Sequence, residues 1–174
     1  MNSKKVLVAY FSRADENYNI GYIEKGNTQV VAETIAEETG GTLFHIETVS
    51  PYPADYNECI DLAKKEMNLS ARPAIQGDAD VEAYDVVFLG YPNWWGEAPM
   101  AVYTFIEKRC WQGKTVIPFC THEGSGLGST VGRLKTACQG ATFLPGLAIQ
   151  GTVAQNNRNQ TLHNVKAWLK KLGY

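Results

Sequence analysis

The chain has 174 residues, of which 44% are apolar and 20% charged, with a formal charge of -2. That length favours one domain, residues 1–174, with a sizeable core, and the near-neutral balance argues against a basic face for nucleic acid or for an anionic membrane. The apolar run nearest the N-terminus, Val6–Phe11, is too short for a membrane span or a signal-peptide core.

The pattern along the chain alternates short apolar runs with helical spacing. Val6–Phe11 reads as a strand buried on both faces. Residues 28–39 place Val31, Ala32, Ile35 and Ala36 at helical spacing, and Gly40-Gly41 ends the helix. A strand is expected over 42–48 and a helix over 55–68, separated by the break Ser50-Pro51-Tyr52-Pro53. Residues 85–91 form the most hydrophobic strand, and Pro99 suits the first turn of a helix over 99–109. A strand over 115–121, a Gly-rich loop and a helix over 129–138 follow. The fifth strand, 141–149, is interrupted by Pro145-Gly146, and a last helix spans 160–172. Five β-α units argue for a parallel sheet covered by helices on both faces, with strand order 2-1-3-4-5. In such sheets ligands bind beyond the carboxyl ends of the strands, where strands 1 and 3 diverge.

The loops at that edge are the unusual ones. After strand 1 come Ser12 and Arg13, then twelve mostly polar residues, then Gly26-Asn27-Thr28 opening a helix. Free amides at a helix start, with hydroxyls beside them, make an anion site; a plain cap with no ligand is the alternative. After strand 3 stands "GYPNWWGEAP", with Pro92, Asn93, Trp94, Trp95 and Gly96. Two adjacent tryptophans cannot easily face one core, so at least one belongs at the surface or over a flat ligand. After strand 4 stands "CTHEGSGLGST", where Thr121, His122, Glu123, Gly124, Ser125 and Gly126 let backbone amides approach a planar ring. The G-x-G-x-G spacing is not a dinucleotide fingerprint, and Gly113-Lys114-Thr115 is no phosphate loop, because position 108 is Lys108 rather than glycine. Cys59, Cys110, Cys120 and Cys138 form no C-x-x-C and no zinc-like spacing with His45, His122 or His163. They read as reduced, mostly buried thiols of a cytoplasmic protein. The three loops together describe a site for a phosphate joined to a flat ring.

In these loops the sequence resembles the flavodoxin family, over nearly the whole chain from Val6 to the last helix. The resemblance implies an α/β flavodoxin-like three-layer sandwich around a five-stranded parallel sheet, with flavin mononucleotide (FMN) as cofactor. It implies that Ser12, Arg13, Gly26, Asn27 and Thr28 lie at the phosphate. It puts Pro92, Asn93, Trp94, Trp95 and Gly96 beside the isoalloxazine, and Thr121, His122, Glu123, Gly124, Ser125 and Gly126 on its other side. The insertion 14–25 then bulges into solvent or folds over the site, with Tyr18 and Tyr22 packing the loop or covering the ligand. The implied activity is electron transfer with redox partner proteins or a small electron acceptor. The alternative is an FMN-dependent NAD(P)H:acceptor reductase of the quinone type, with His122 and Glu123 relaying protons. A signalling receiver domain shares the strand order but needs an aspartate at the end of strand 3, where this chain has Leu89-Gly90-Tyr91-Pro92.

Overall fold

Strand β1 (Val6–Tyr10) leads into an antiparallel hairpin, β2 (Asp15–Asn17) and β3 (Gly21–Ile23), and then into helix α1 (Asn27–Thr39). The order continues with β4 (Thr42–His45), α2 (Tyr56–Asn68), β5 (Val86–Pro92), α3 (Met100–Glu107), β6 (Thr115–His122) and α4 (Thr130–Ala137). It closes with β7 (Thr142–Phe143), β8 (Leu147–Gln150), α5 (Gly151–Asn156) and α6 (Arg158–Leu172). These elements come from a computed structural model in which residues 4–174 are described; residues 1–3 of the expected domain lie outside them.

The sheet runs β4-β1-β5-β6, with β7 and β8 both beside β6, and every pairing in it is parallel. This is the expected order 2-1-3-4-5, with the fifth strand in two pieces. Val116 pairs Phe143, whereas Phe119 pairs Leu147, so two residues of β6 face three of the outer strand. The slip falls where prolines stand on both chains: Pro118 and Pro145 have no N–H to give the ladder.

Strand period sorts the core into two layers. Leu7, Ala9 and Phe11 join Val87, Leu89 and Tyr91 under α3 and Leu134 of α4. Val6, Val8 and Tyr10 join Val86, Phe88 and Phe119 under α1, α5 and α6. Buried on both faces, β1 and β5 are continuous apolar runs, as a parallel sheet requires.

Several boundaries differ from expectation. The second strand ends at His45 rather than residue 48, because its partner β1 ends at Tyr10, opposite His45. Asp55 and Pro99 sit at cap positions rather than inside their helices; the Asp55 carboxylate accepts the Glu58 amide at 2.9 Å. Helix α5 has no counterpart in the sequence reading. Among the described residues, no helix is long and apolar enough to cross a membrane, and no group of His, Cys, Asp and Glu is placed to hold a metal ion.

Candidate functional site

Helix α1 starts from Gly26 in extended backbone, with no side-chain cap from that residue and no acidic group in its first turn. The Gln29 amide donates to Ser12 Oγ at 3.0 Å, which ties the two ends of the interrupted loop together. Among the described residues, the amides of Asn27 and Thr28 donate to nothing. Thr28 is buried, and its hydroxyl lies 2.7 Å from that of Thr121, joining the start of α1 to the end of β6. Asn27 Oδ1 is buried without a partner.

The loop after β5 is a tight turn. Trp94 and Glu97 exchange both backbone hydrogen bonds, at 2.9 and 3.1 Å, and Trp95 and Gly96 take φ of 58° and 75°. That is the primed two-residue turn, which suits Gly96 and strains a bulky residue such as Trp95. The strain is held by neighbours: the Trp95 indole N–H donates to Ile60 O at 3.0 Å, and the Lys64 ammonium sits 4.7 Å from the ring centroid. Trp94 turns inward, edge-on to Phe11 and Tyr52 at 5.1 Å each. One tryptophan is thus packed and the other 49% exposed, the split that adjacent positions demand.

Asn93 couples this loop to the next. Its Nδ2 donates to Gly126 O, and its Oδ1 accepts the Gly96 amide, both at 2.9 Å. Glu97 is buried at the end of the turn, where its carboxylate accepts from the Ala98 amide, Tyr103 hydroxyl and Arg133 at 2.9, 2.6 and 2.6 Å. Burial, then this carboxylate, pushes the Tyr103 phenol up.

One cavity of about 310 Å³ opens at the carboxyl edge of the sheet. It brings together Asn27 from the first loop, Pro92, Asn93, Trp94 and Trp95 from the second, and Thr121, His122, Glu123 and Ser125 from the third. Gly26 and Thr28, the neighbours of Asn27, are not on this wall, Ser12 lines the adjoining cleft with Gln29 and His45, and Gly96, Gly124 and Gly126 also lie off it. Gly124 and Gly126 carry φ of 132° and 61°, with open space where a Cβ would stand.

Arg13 is turned away. Its guanidinium donates to the carbonyls of Glu16, Pro53 and Ala54, the last two at 2.7 and 2.8 Å. It therefore stands off this cavity, on the wall of a neighbouring cleft that it shares with Ser12 and His45, and fastens the hairpin to the chain before α2. Glu16 completes the clasp by accepting the Tyr56 amide at 2.8 Å, as a carboxylate does at a helix N-terminus. This clasp brings Tyr18, one of the two insertion tyrosines expected either to pack the loop or to cover the ligand, to the cavity, together with four residues that the sequence reading had not placed there: Asn17 from the hairpin, and Tyr56, Ile60 and Ala63 from α2. Tyr22 is 71% exposed and off the cavity. The i, i+4, i+7 spacing of Tyr56, Ile60 and Ala63 was the available signal for a helix face there.

Glu123 is also committed. Its Oε1 accepts the Thr152 amide at 2.7 Å, and its Oε2 lies 3.2 Å from the Thr152 hydroxyl, so it caps α5. Burial pushes the thiols of Cys59, Cys120 and Cys138 up to about 11, 12 and 12, which keeps them protonated near neutrality; Cys110 is exposed.

His122 Nδ1 accepts the Gly124 amide at 2.9 Å. Desolvation holds its imidazole below the ordinary value of 6.5, against the opposing pull of Glu123. With the folded value depressed, this contribution is present above pH 6.5 and is lost as pH falls through the folded value. Protonation removes the Nδ1 acceptor, so ligand binding at the third loop is expected to weaken on acidification below the ordinary imidazole range. Dissociation constants measured as a function of pH check this: His122→Asn, whose amide oxygen replaces Nδ1 as acceptor, is expected to flatten that dependence.

Comparison with known proteins gives the geometry a family. The flavodoxin family model matches residues 5–172. A candidate flavoprotein from Bacteroides eggerthii is 33% identical, with 98% of this chain and 99% of that chain covered, at a TM-score of 0.77. One from Bacteroides uniformis is 30% identical over 97% and 99%, at 0.75. A flavoprotein from Lactobacillus acidophilus, solved in complex with FMN, is 21% identical over 83% and 93%, at 0.66. Among curated proteins none matches. The family match begins before β1 and ends at the last residue of α6, and the chain belongs to the flavodoxin family.

Proposed function

We propose that the chain binds FMN and serves as an electron-transfer flavoprotein. The observation that carries the reading is the convergence of the loops after β1, β5 and β6 on one cavity at the edge where open parallel sheets take ligands. The residues fit the group. The free amides of Asn27 and Thr28, at a helix start without acidic residues, suit a phosphate. Ser12 Oγ already accepts from Gln29, which leaves its proton to donate. The buried, unpartnered Asn27 Oδ1 is an acceptor awaiting a donor. On the ring side, Trp94 and Trp95 offer aromatic surface, and the backbone at Gly124 and Gly126 is open to close approach.

When bound, the flavin supplies the redox chemistry. The chain's residues bind the phosphate at α1, orient the ring between the second and third loops, and hold those loops in register through Asn93. The reductase alternative draws less support. Both oxygens of Glu123 serve Thr152, so that carboxylate is committed, and His122 Nδ1 serves Gly124, which leaves only Nε2 of the pair for proton transfer.

The visible spectrum of the purified protein, incubated with FMN and then desalted, tests the reading. Twin flavin bands that travel with the protein, with flavin fluorescence quenched, are expected. Those bands are expected to persist on adding NADPH, as a carrier without its own donor site requires. A colourless protein would overturn the cofactor, and prompt bleaching by NADPH would favour the reductase.

A further inference from the structure

The cavity has a second wall that the three-loop site does not account for. Tyr18 stands in the inserted hairpin, and Tyr56, Ile60 and Ala63 share one face of α2. The Tyr18 and Tyr56 rings lie 5.9 Å apart, tilted by 33°. The hairpin carrying Tyr18 is pinned by Arg13 to three carbonyls and by Glu16 to the Tyr56 amide, so this wall is built rather than draped. Tyr18 is nevertheless 55% exposed, at the mouth.

The lining also has a telling charge pattern. Glu123 is its one charged residue, and neither Lys nor Arg lines it. Lys64 lies near the rim but is engaged over Trp95. The wall of Tyr18, Tyr56, Ile60 and Ala63 is aromatic and aliphatic and has no cation, and the start of α2 beside it already gives its first amide to the Glu16 carboxylate, so charge on a ligand is unfavourable there, unlike at the start of α1.

We propose that Tyr18 and Tyr56 form a second binding subsite, beside the cofactor loops, for a neutral planar aromatic molecule and not for a nicotinamide dinucleotide. The subsite rests on the FMN reading for its setting, because the ligand would lie between these rings and the cofactor held by the second and third loops. Ile60 and Ala63 supply its aliphatic floor. The hairpin that interrupts the phosphate loop is then a ligand-binding device, which gives the insertion a use.

Calorimetric titration of the FMN-loaded protein with duroquinone tests this; its fully substituted ring offers no free position to the exposed Cys110 thiol. Saturable binding is expected, weakened about three- to tenfold by Tyr18→Ala and by Tyr56→Leu, the range of one aromatic contact. Tyr22→Ala, on the same hairpin but off the cavity, is expected to bind duroquinone as the parent does. FMN affinity is expected to be unchanged in all three, and NADP+ is expected not to compete. Absence of duroquinone binding by a protein that holds FMN would overturn the subsite. So would indifference to Tyr18→Ala and Tyr56→Leu, or competition by NADP+. A fall in FMN affinity matching the fall in duroquinone affinity would overturn it too, by showing that these rings wall the flavin itself. A protein that retains no FMN refutes the cofactor reading alone. The same titration on the apoprotein then decides the subsite, Tyr18-dependent binding upholding it and no binding overturning it.

Discussion

Gly26→Ala is expected to weaken FMN binding by roughly a hundredfold while leaving the chain folded, the loss of about two hydrogen bonds to a charged phosphate. The cause is space rather than backbone freedom. Gly26 has φ of -62° and ψ of 155°, which alanine adopts without strain. A Cβ there would lie 2.1 Å from Ser12 Oγ, 2.6 Å from Arg13 O and 2.9 Å from Arg13 C. The serine hydroxyl can rotate away, but only by abandoning the Gln29 amide. The Arg13 carbonyl cannot, because it is backbone, it accepts from Asn17 Nδ2 at 3.2 Å, and its own side chain is tied to three carbonyls. The two ends of the interrupted loop must then part, and the start of α1 moves off its phosphate. Overpacking of this kind also costs about 1–3 kcal/mol. Fluorescence-quenching titration with FMN, beside a thermal melt, checks both effects. Unchanged affinity would mean that the close approach of Gly26 to Ser12 is not what shapes the site.

That contact shows how far the sequence could be read. Ser12 and Gly26-Asn27-Thr28 are legible as loop ends because helix starts have their own chemistry, whatever separates them. The strand order is legible because β1, β5 and β6 are apolar on both faces, a pattern that a two-sided parallel sheet imposes. What lay between the loop ends was not legible. Residues 14–25 carry no apolar alternation, and their hairpin depends on Asn19 and Gly21 taking φ of 60° and 80°, and on partners forty residues away. The resemblance puts Arg13 at the phosphate, whereas in the structure its guanidinium donates to the carbonyls of Glu16, Pro53 and Ala54, partners that nothing in the chain order announces. Helix α5 was missed for a related reason. It starts at a glycine, has six residues, and is held by a cap from Glu123, nearly thirty positions earlier. Short elements held by tertiary contacts leave no periodic trace. Tyr56, Ile60 and Ala63 did leave one, but nothing in the chain order says that the face of α2 turns to a ligand.

Gly90→Ala is expected to cost at least about 3 kcal/mol of stability, at the upper end for overpacking. At about 2–4 °C per kcal/mol for a chain of this size, the melting temperature is expected to fall by roughly 6–12 °C. Gly90 sits inside β5, in register with Tyr10 on one side and Phe119 on the other. A Cβ would lie 2.1, 2.2 and 2.7 Å from Cζ, Cε2 and Cε1 of Phe119, a ring with no exposure. Interiors pack like organic crystals, so the ring has nowhere to go without displacing the layer under α1, α5 and α6. Moving the strand instead stretches the bond from the Phe11 amide to Gly90 O, now 2.9 Å, and Gly90 stands two residues before Pro92, where the second loop begins. Stability and FMN affinity should therefore fall together. Phe119→Leu, which removes the ring, is expected to be mildly destabilising alone and to restore much of the loss in the double variant. That coupling, read from a double-mutant cycle of thermal melts, separates the ring clash from any general intolerance of the strand. Additive losses would refer the effect to the backbone of β5, and a parental melting temperature for Gly90→Ala would show that the ring over Gly90 is free to move.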